Sequence, residues 1–296
     1  MQGSREFIQK QERHRFLCVL ALLGLCVFVV LCIQDLTRAA LLPTEDITCV
    51  PVAVNPEVLH AARTSATSEQ DLALKRYFHD LQMTRQVISM DQQGKHFFAR
   101  NWEPSYSCTT RLRMGCPGEG GKWICDPHIH LLRDDCVVYS FGSNDEFSFE
   151  TAIHDFNPHC IIHTFDPTVP HPLNKPPFVH YNHAGLGTTD ASNASLGSYF
   201  TLHEIMLRLG HKHVDVLKLD CEGCELDYWT LDVPKGIVRQ LQVEVHWVNR
   251  RDTPERMHAF FGFLARKGFA IFNKEANIQY STPNKEAMEF ALVHLS

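Results

Sequence analysis

The alternation of apolar and polar positions divides the chain into stretches of different character. Phe16 to Ile33 reads FLCVLALLGLCVFVVLCI, with no charged or strongly polar side chain on any face. As a helix this run would span about 27 Å, enough for the hydrocarbon core of a thin bilayer. Gln34 to Ser68 contains Pro43, Pro51 and Pro56 without a sustained period and reads as a stem. Ser68-Glu69-Gln70-Asp71 then opens an amphipathic helix, with Leu72, Tyr77, Leu81 and Val87 among its apolar positions. Ser105 to Cys136 is a glycine- and cysteine-rich loop.

From Val137 onward short apolar runs alternate with helical periods. Strands are predicted at Val137–Phe141, Ile161–Phe165, Phe178–Ala184, Val214–Leu219, Ile237–Val245, Phe269–Phe272 and Phe290–Val293. Helices are predicted at Ser198–Leu209, stopped by Gly210, and at Thr253–Lys267, stopped by Gly268. Strands separated by helices predict an α/β domain, a doubly wound and mostly parallel sheet whose ligands lie beyond the carboxyl ends of its strands. The boundaries are then 1–15 for a tail, 16–33 for an anchor, 34–68 for a stem, 69–136 for a helix and loop leading in, and 137–296 for the domain.

With 296 residues, 44% hydrophobic and 21% charged, the chain has room for one full core. A net charge of −6 gives no electrostatic footprint for nucleic acid, and no such partner is expected. Charge decides the orientation of the anchor. Arg5, Lys10, Arg13 and Arg15 precede it and Arg38 alone follows closely, which predicts a single-pass type II protein with its bulk in the lumen of the endoplasmic reticulum or Golgi. A signal peptide cleaved near Thr37-Arg38-Ala39 is the alternative, although the run exceeds the usual core of roughly 7–15 residues. Cys49, Cys108, Cys116, Cys125, Cys136, Cys160, Cys221 and Cys224 lie beyond the anchor, an even set that permits disulfides. At least one bond is expected among Cys108, Cys116, Cys125 and Cys136, which allow three pairings. Zinc held by Cys125, His128 and His130 is the rival reading, but the spacing matches no standard finger and no resident metal is expected. Asn193-Ala194-Ser195 is the one glycosylation sequon past the anchor.

The chemistry-bearing residues cluster at predicted strand ends. Gly142 follows the first strand, where a glycine lets the backbone approach a ligand. Asp166 ends the second strand 24 positions later, a separation that suits one βα unit and an acid accepting from a ribose diol. Lys218 interrupts the apolar run Val214–Leu219, and Asp220 and Glu222 emerge together at its end, followed by Gly223 and Glu225. An unpaired lysine in such a strand would be costly, and a neighbouring-strand acid such as Glu244 is a candidate partner. Glu244 and His246 share a face of the next strand, and Glu222 and His246 are candidate general bases. Trp247 suits either a sugar platform or the core.

Val216-Leu217-Lys218-Leu219-Asp220-Cys221-Glu222-Gly223-Cys224-Glu225 resembles the D-V-L-K-I-D-V-E-G-A-E signature of FkbM-type methyltransferases. Gly142-Ser143-Asn144 is similar to their G-A-N, and Phe165-Asp166-Pro167 resembles their F-E-P. The likeness extends over about 137–295, as in animal single-pass membrane methyltransferase-like proteins. It implies a Rossmann-like, class I methyltransferase fold, S-adenosylmethionine as cofactor, and O-methylation of a small-molecule, sugar or glycan acceptor. It also implies that Gly142 and Asn144 lie near the cofactor's methionine part, Asp166 at its ribose, and Asp220 and Glu222 at the reacting centre. Two positions depart from the pattern: Ser140 replaces an acid, and Glu146 replaces a second glycine. Cys221 and Cys224 replace small apolar residues and are expected as buried thiols. The competing readings are a lumenal glycosyltransferase, in which Asp220-Cys221-Glu222 stands for a D-x-D motif, and a binding protein that keeps the fold without catalysis.

Overall fold

The computed structural model describes residues 69–85, 97–117, 120–187, 197–248, 253–277, 280 and 285–295. The anchor, the stem and the Asn193 sequon lie outside the described residues, among which no helix is long and apolar enough to cross a membrane. In chain order the elements are α1 (Glu69–Arg85), α2 (Phe97–Arg100), β1 (Arg111–Met114), β2 (Lys122–Cys125), α3 (Pro127–His130), β3 (Val137–Phe141), α4 (Ser148–Phe156) and β4 (Ile161–Phe165). They continue with β5 (Val179–Asn182), β6 (Ala184–Leu186), β7 (Ser198–Phe200), α5 (Leu202–Leu209) and β8 (Val214–Leu219). After two short 3₁₀ turns come β9 (Val238–Val248), α6 (Pro254–Arg266), β10 (Phe269–Ala276) and β11 (Lys285–His294).

Seven strands form one sheet in the order β10-β11-β9-β8-β3-β4-β5. β9, β8, β3, β4 and β5 run parallel, and β11 and β10 complete the edge antiparallel. The strand order reverses between β3 and β8, which opens a crevice at their carboxyl ends. β3 (VVYSF) and β8 (VDVLKL) are buried at every position, the mark of parallel strands covered on both faces.

The two faces differ in chemistry, and that difference positions the site. One face presents Tyr139, Phe141, Leu217, Leu219, Leu241 and Val243 to a large apolar core with α5 and α6. Trp247 belongs to this core: it is 2% exposed and its ring lies 4.6 Å from that of Phe97, so it is no sugar platform. The opposite face packs Val138, Ile162 and Val216 against Phe149 and Ile153 of α4. Elsewhere that face is polar, carrying Ser140, Lys218, Gln240, Gln242, Glu244 and His246, all buried.

The structure corrects two element boundaries. Ser198–Phe200, expected within a helix, is a strand that pairs with β6. Thr201 starts α5 instead, accepting from the Glu204 amide while Glu204 reaches back to the Thr201 amide in a reciprocal cap. Residues 105–136 are also more ordered than a loop: β1 and β2 form an antiparallel hairpin. Disulfides join Cys108 to Cys125 and Cys136 to Cys160, so the second bond leaves the loop and ties the start of β3 to that of β4. With its sulfur in a disulfide, Cys125 is no zinc ligand, which removes the Cys125, His128 and His130 reading. Closing loops of this length stabilises a domain by roughly 3 kcal/mol in the chain-entropy account. Peptide mapping without reduction is expected to recover Cys108–Cys125 and Cys136–Cys160. Four free thiols at these positions in protein from a secretory host would contradict the structure.

Candidate active site

Three strand ends converge on the site. β3 ends at Gly142, whose φ is 81°. A Cβ on Gly142 would sit 1.7 Å from the carbonyl oxygen of Asp220, so glycine is required by the close passage of the β8 end. The Asp220 amide donates to the Phe141 carbonyl at 2.9 Å, which locks the two strand ends together.

Asp166, at the end of β4, is buried and accepts five hydrogen bonds. Oδ2 takes the amides of Ser143 at 3.0 Å and Asn144 at 2.8 Å and the Ser143 hydroxyl at 3.3 Å. Oδ1 takes the Thr168 amide at 2.9 Å and its hydroxyl at 2.6 Å. Burial pushes the carboxyl's pKa up, but the bonds from Thr168, Asn144 and Ser143 outweigh it and hold the group below the usual range. In the structure Asp166 therefore shapes the Ser143-Asn144 turn, in which Asn144 and Asp145 both have positive φ. Glu146 Oε1 accepts the Ser148 amide at 2.7 Å at the start of α4. The acid that replaces a glycine here thus meets an unsatisfied amide and the positive end of a helix.

β8 delivers the charges. Lys218 donates to the Gly142 carbonyl at 2.6 Å; Glu244, the acid offered for it, instead accepts from Asn277 at 2.7 Å, and Asp220 is met by another cation. That cation is Lys122 of β2, 3% exposed, whose ammonium lies 3.2 Å from Asp220 Oδ2 and is also hydrogen-bonded to Glu289 of β11. Burial pushes the Lys122 pKa down, but Glu289, Asp220 and Glu244 together raise it above the ordinary value. Burial would likewise raise Asp220, yet Lys122 and Lys218 bring it down to about 2. Glu244 moves the other way, to about 8, because it is buried beside Asp220 and Glu289.

Glu222 stands at the rim with φ 58°, a left-handed conformation unusual for a side-chain-bearing residue. Its Oε2 accepts the Tyr280 hydroxyl at 2.9 Å. Cys221 and Cys224, expected as thiols, are joined in a disulfide that brackets Glu222 and Gly223. Glu225 is fully buried and anchors the turn: Oε2 accepts the Gly223 amide at 2.8 Å, and Oε1 accepts the His246 amide at 3.0 Å and contacts its Nδ1 at 3.2 Å. His246 Nε2 then points at Glu222, 3.8 Å away, and Glu244, 3.9 Å away. Burial lowers the His246 pKa, but Glu225, Glu244 and Glu222 prevail and raise it to about 9.

A cavity of about 440 Å³ joins these groups, inside the roughly 300–1,000 Å³ range of small-molecule sites. Gly142, Asn144, Asp166, Asp220, Glu222 and His246 all line it, so the residues expected at the cofactor and the reacting centre meet in one place. Its other wall is apolar, formed by Phe165, Pro167, Leu186 and Tyr199. Lys122, Glu289 and Tyr280 carry no signal in the sequence, because each reaches the site only through tertiary folding. A second cavity, of about 30 Å³ between β9 and α6, is lined mainly by apolar residues and holds no such cluster.

The model of the family described as "Methyltransferase domain" matches residues 67–294. No curated protein matches the chain. Among solved structures, the chain is similar to the fibrillarin pre-rRNA processing protein of Methanococcus jannaschii, at 11% identity over 55% of this chain and 68% of that one, with a TM-score of 0.36. It is also similar to a mutant of the 16S rRNA (adenine(1408)-N(1))-methyltransferase of Catenulisporales acidiphilia, at 13% identity over 57% of this chain and 89% of that one, with a TM-score of 0.30.

The buried cation cluster makes a stability prediction. Lys122→Met would leave Glu289 without its ammonium partner and Asp220 with Lys218 as its main remaining cation, and breaking a buried pair typically costs about 3–5 kcal/mol. Urea denaturation with disulfides intact should show a loss of that size. A loss below about 1 kcal/mol would show that Lys122 does not bind the hairpin to the sheet.

Proposed function

The chain belongs to the methyltransferase-domain family, and from that premise we propose that it is an S-adenosylmethionine-dependent enzyme that methylates a hydroxyl group of a small molecule, sugar or glycan. The observation that carries the reading is the division of the cavity into two halves. Phe165, Pro167, Leu186 and Tyr199 offer an apolar wall suited to a flat base, whereas Asp166, Asp220, Glu222 and Glu244 make the rest strongly acidic. Apolar and acidic surfaces together fit a ligand that carries an aromatic ring at one end and a sulfonium cation at the other.

When bound, the cofactor supplies an electrophilic methyl group. The chain's own residues hold it and manage the acceptor's proton. Gly142 and Asn144 lie on the methionine side. Asp166 takes the ribose through Oδ1, where the Thr168 hydroxyl is a rotatable donor that a ribose hydroxyl can replace. Asp220 faces the sulfonium. Glu222, exposed at the rim, would accept the proton of the acceptor hydroxyl. His246, buried beneath Glu222, orients that carboxylate. Most of the rate comes from holding the hydroxyl in line with the methyl carbon.

Kinship to the FkbM type rests on the Val216–Glu225 signature. Placement in the secretory lumen is supported by the flank charges around 16–33 and by the cysteines: all seven among the described residues are disulfide-bonded, as an oxidising compartment allows. One observation favours a non-catalytic reading instead. Glu146 occupies the amide of Ser148 at the N-terminus of α4, a position where an anionic ligand group would otherwise be welcome. The glycosyltransferase alternative has no comparable support in a chain of this family.

Calorimetry with S-adenosylmethionine and S-adenosylhomocysteine separates these readings. Asp166→Ala should weaken binding at least about tenfold, the loss of one charge-assisted bond. Glu222→Gln should bind both ligands almost as well as the wild type but turn over far more slowly. No heat at millimolar ligand, in protein shown to be folded, would remove the methyltransferase function. Binding without transfer to glycan, lipid or small-molecule fractions would favour the non-catalytic protein.

A further inference from the structure

Asp220, Glu244 and His246 each present a ligand atom to the same point, all within 4.8 Å of one another. We propose that these three side chains form a binding site for a divalent transition-metal cation of the Mn²⁺ or Zn²⁺ kind, at the acceptor end of the cavity.

Four observations carry this. The first is orientation. Glu225, with no exposed surface, holds His246 by both its backbone amide and Nδ1, at 3.0 and 3.2 Å. A histidine gripped at one ring nitrogen by a buried carboxylate presents the other in a fixed tautomer, which is how metal-ligating histidines are held. The free Nε2 faces Glu244 Oε1 at 3.9 Å. The second is support of the other ligands. Asn277 Nδ2 donates to Glu244 Oε1 at 2.7 Å, and Lys122 fixes Asp220 through Oδ2 at 3.2 Å.

The third is charge. Asp220, Glu222, Glu225, Glu244 and Glu289 gather around Lys122, Lys218 and His246, an excess of carboxylates that a dication would balance. The fourth is burial of the ligands themselves: Glu244 and His246 are 4% and 1% exposed, unlike acidic groups on an open surface.

One imidazole and two carboxylates suit Mn²⁺ or Zn²⁺ better than Ca²⁺ or Mg²⁺, which prefer oxygen alone. Three protein ligands leave positions open, as in catalytic rather than structural sites. An acceptor hydroxyl bound there would lose its proton more readily, and Glu222 stands beside it to take that proton. This consequence rests on the methyl-transfer reading; the binding of the cation does not. No resident metal was expected from the sequence because the ligands come from the ends of β8 and β9, not from a spaced motif.

The test is titration of the full-length, chelator-stripped protein with Mn²⁺, followed by electron paramagnetic resonance and repeated by calorimetry with Zn²⁺. One saturable site is expected. Glu244→Gln, which keeps the side-chain shape, should weaken it at least about tenfold, and Glu225→Gln, a positioning change, by about 10–100-fold. Circular dichroism checks that each variant is folded. Absence of saturable binding in the folded wild type overturns the site, as does unchanged affinity in both variants. Cofactor binding measured on the same protein keeps the two readings apart. Cofactor without cation sinks only the metal site, and cation without cofactor supports the metal site while sinking the methyltransferase function.

Discussion

A buried ammonium group organises this molecule's functional end. Lys122 reaches from the β1–β2 hairpin into the polar face of the sheet and contacts Asp220 of β8 and Glu289 of β11 together. Each carboxylate would be costly to bury without a cation, and Lys122 supplies one to both. Because Lys122 lies on β2, the hairpin must sit on the sheet for Asp220 and Glu289 to meet their cation, and the Cys108–Cys125 disulfide closes the hairpin's far end. Gln240 adds to this seam by accepting from the Cys125 amide at 2.9 Å and donating to its carbonyl at 2.8 Å. The floor of the cavity is thus held by electrostatics and paired polar groups where an ordinary sheet face would be apolar.

That arrangement explains why the two faces of one sheet serve different ends. The apolar face binds α5 and α6 and gives the domain its largest core. The polar face collects Lys218, Glu244 and His246, which only a covered, charge-matched environment tolerates. Ser140 lies in register with Lys218 on this face, where its short side chain leaves the ammonium free to reach the Gly142 carbonyl. Glu225, the last residue of the charged run after β8, ties that turn to the end of β9 and sets the aim of His246.

Much of this was legible in the sequence. β3, β4 and β8 match their predicted ranges, because continuous apolar runs between turn residues report parallel strands well. The start of α5 was misread since Phe200 continues a helical spacing that the Thr201 cap interrupts. The hairpin is not legible because RLRM and KWIC are short and interrupted by charged residues. Gly142, Asn144, Asp166, Asp220, Glu222 and His246 were legible because each sits at a strand's carboxyl end, where chain order maps onto space. Lys122, Glu289 and Tyr280 were not, because they arrive from a hairpin, the antiparallel strand β11 and a loop, and only register and tertiary contact reveal them.

The central claim is that this cavity binds the methyl-donor cofactor across the β3, β4 and β8 ends. Hydrogen exchange of the folded protein with and without S-adenosylhomocysteine tests it most directly, since it needs no knowledge of the acceptor. The account predicts new protection in peptides covering Phe141–Glu146, Phe165–Thr168 and Asp220–Cys224, with the α6 region unchanged. Saturating ligand that leaves those three segments unprotected, or that protects only regions remote from them, would contradict it.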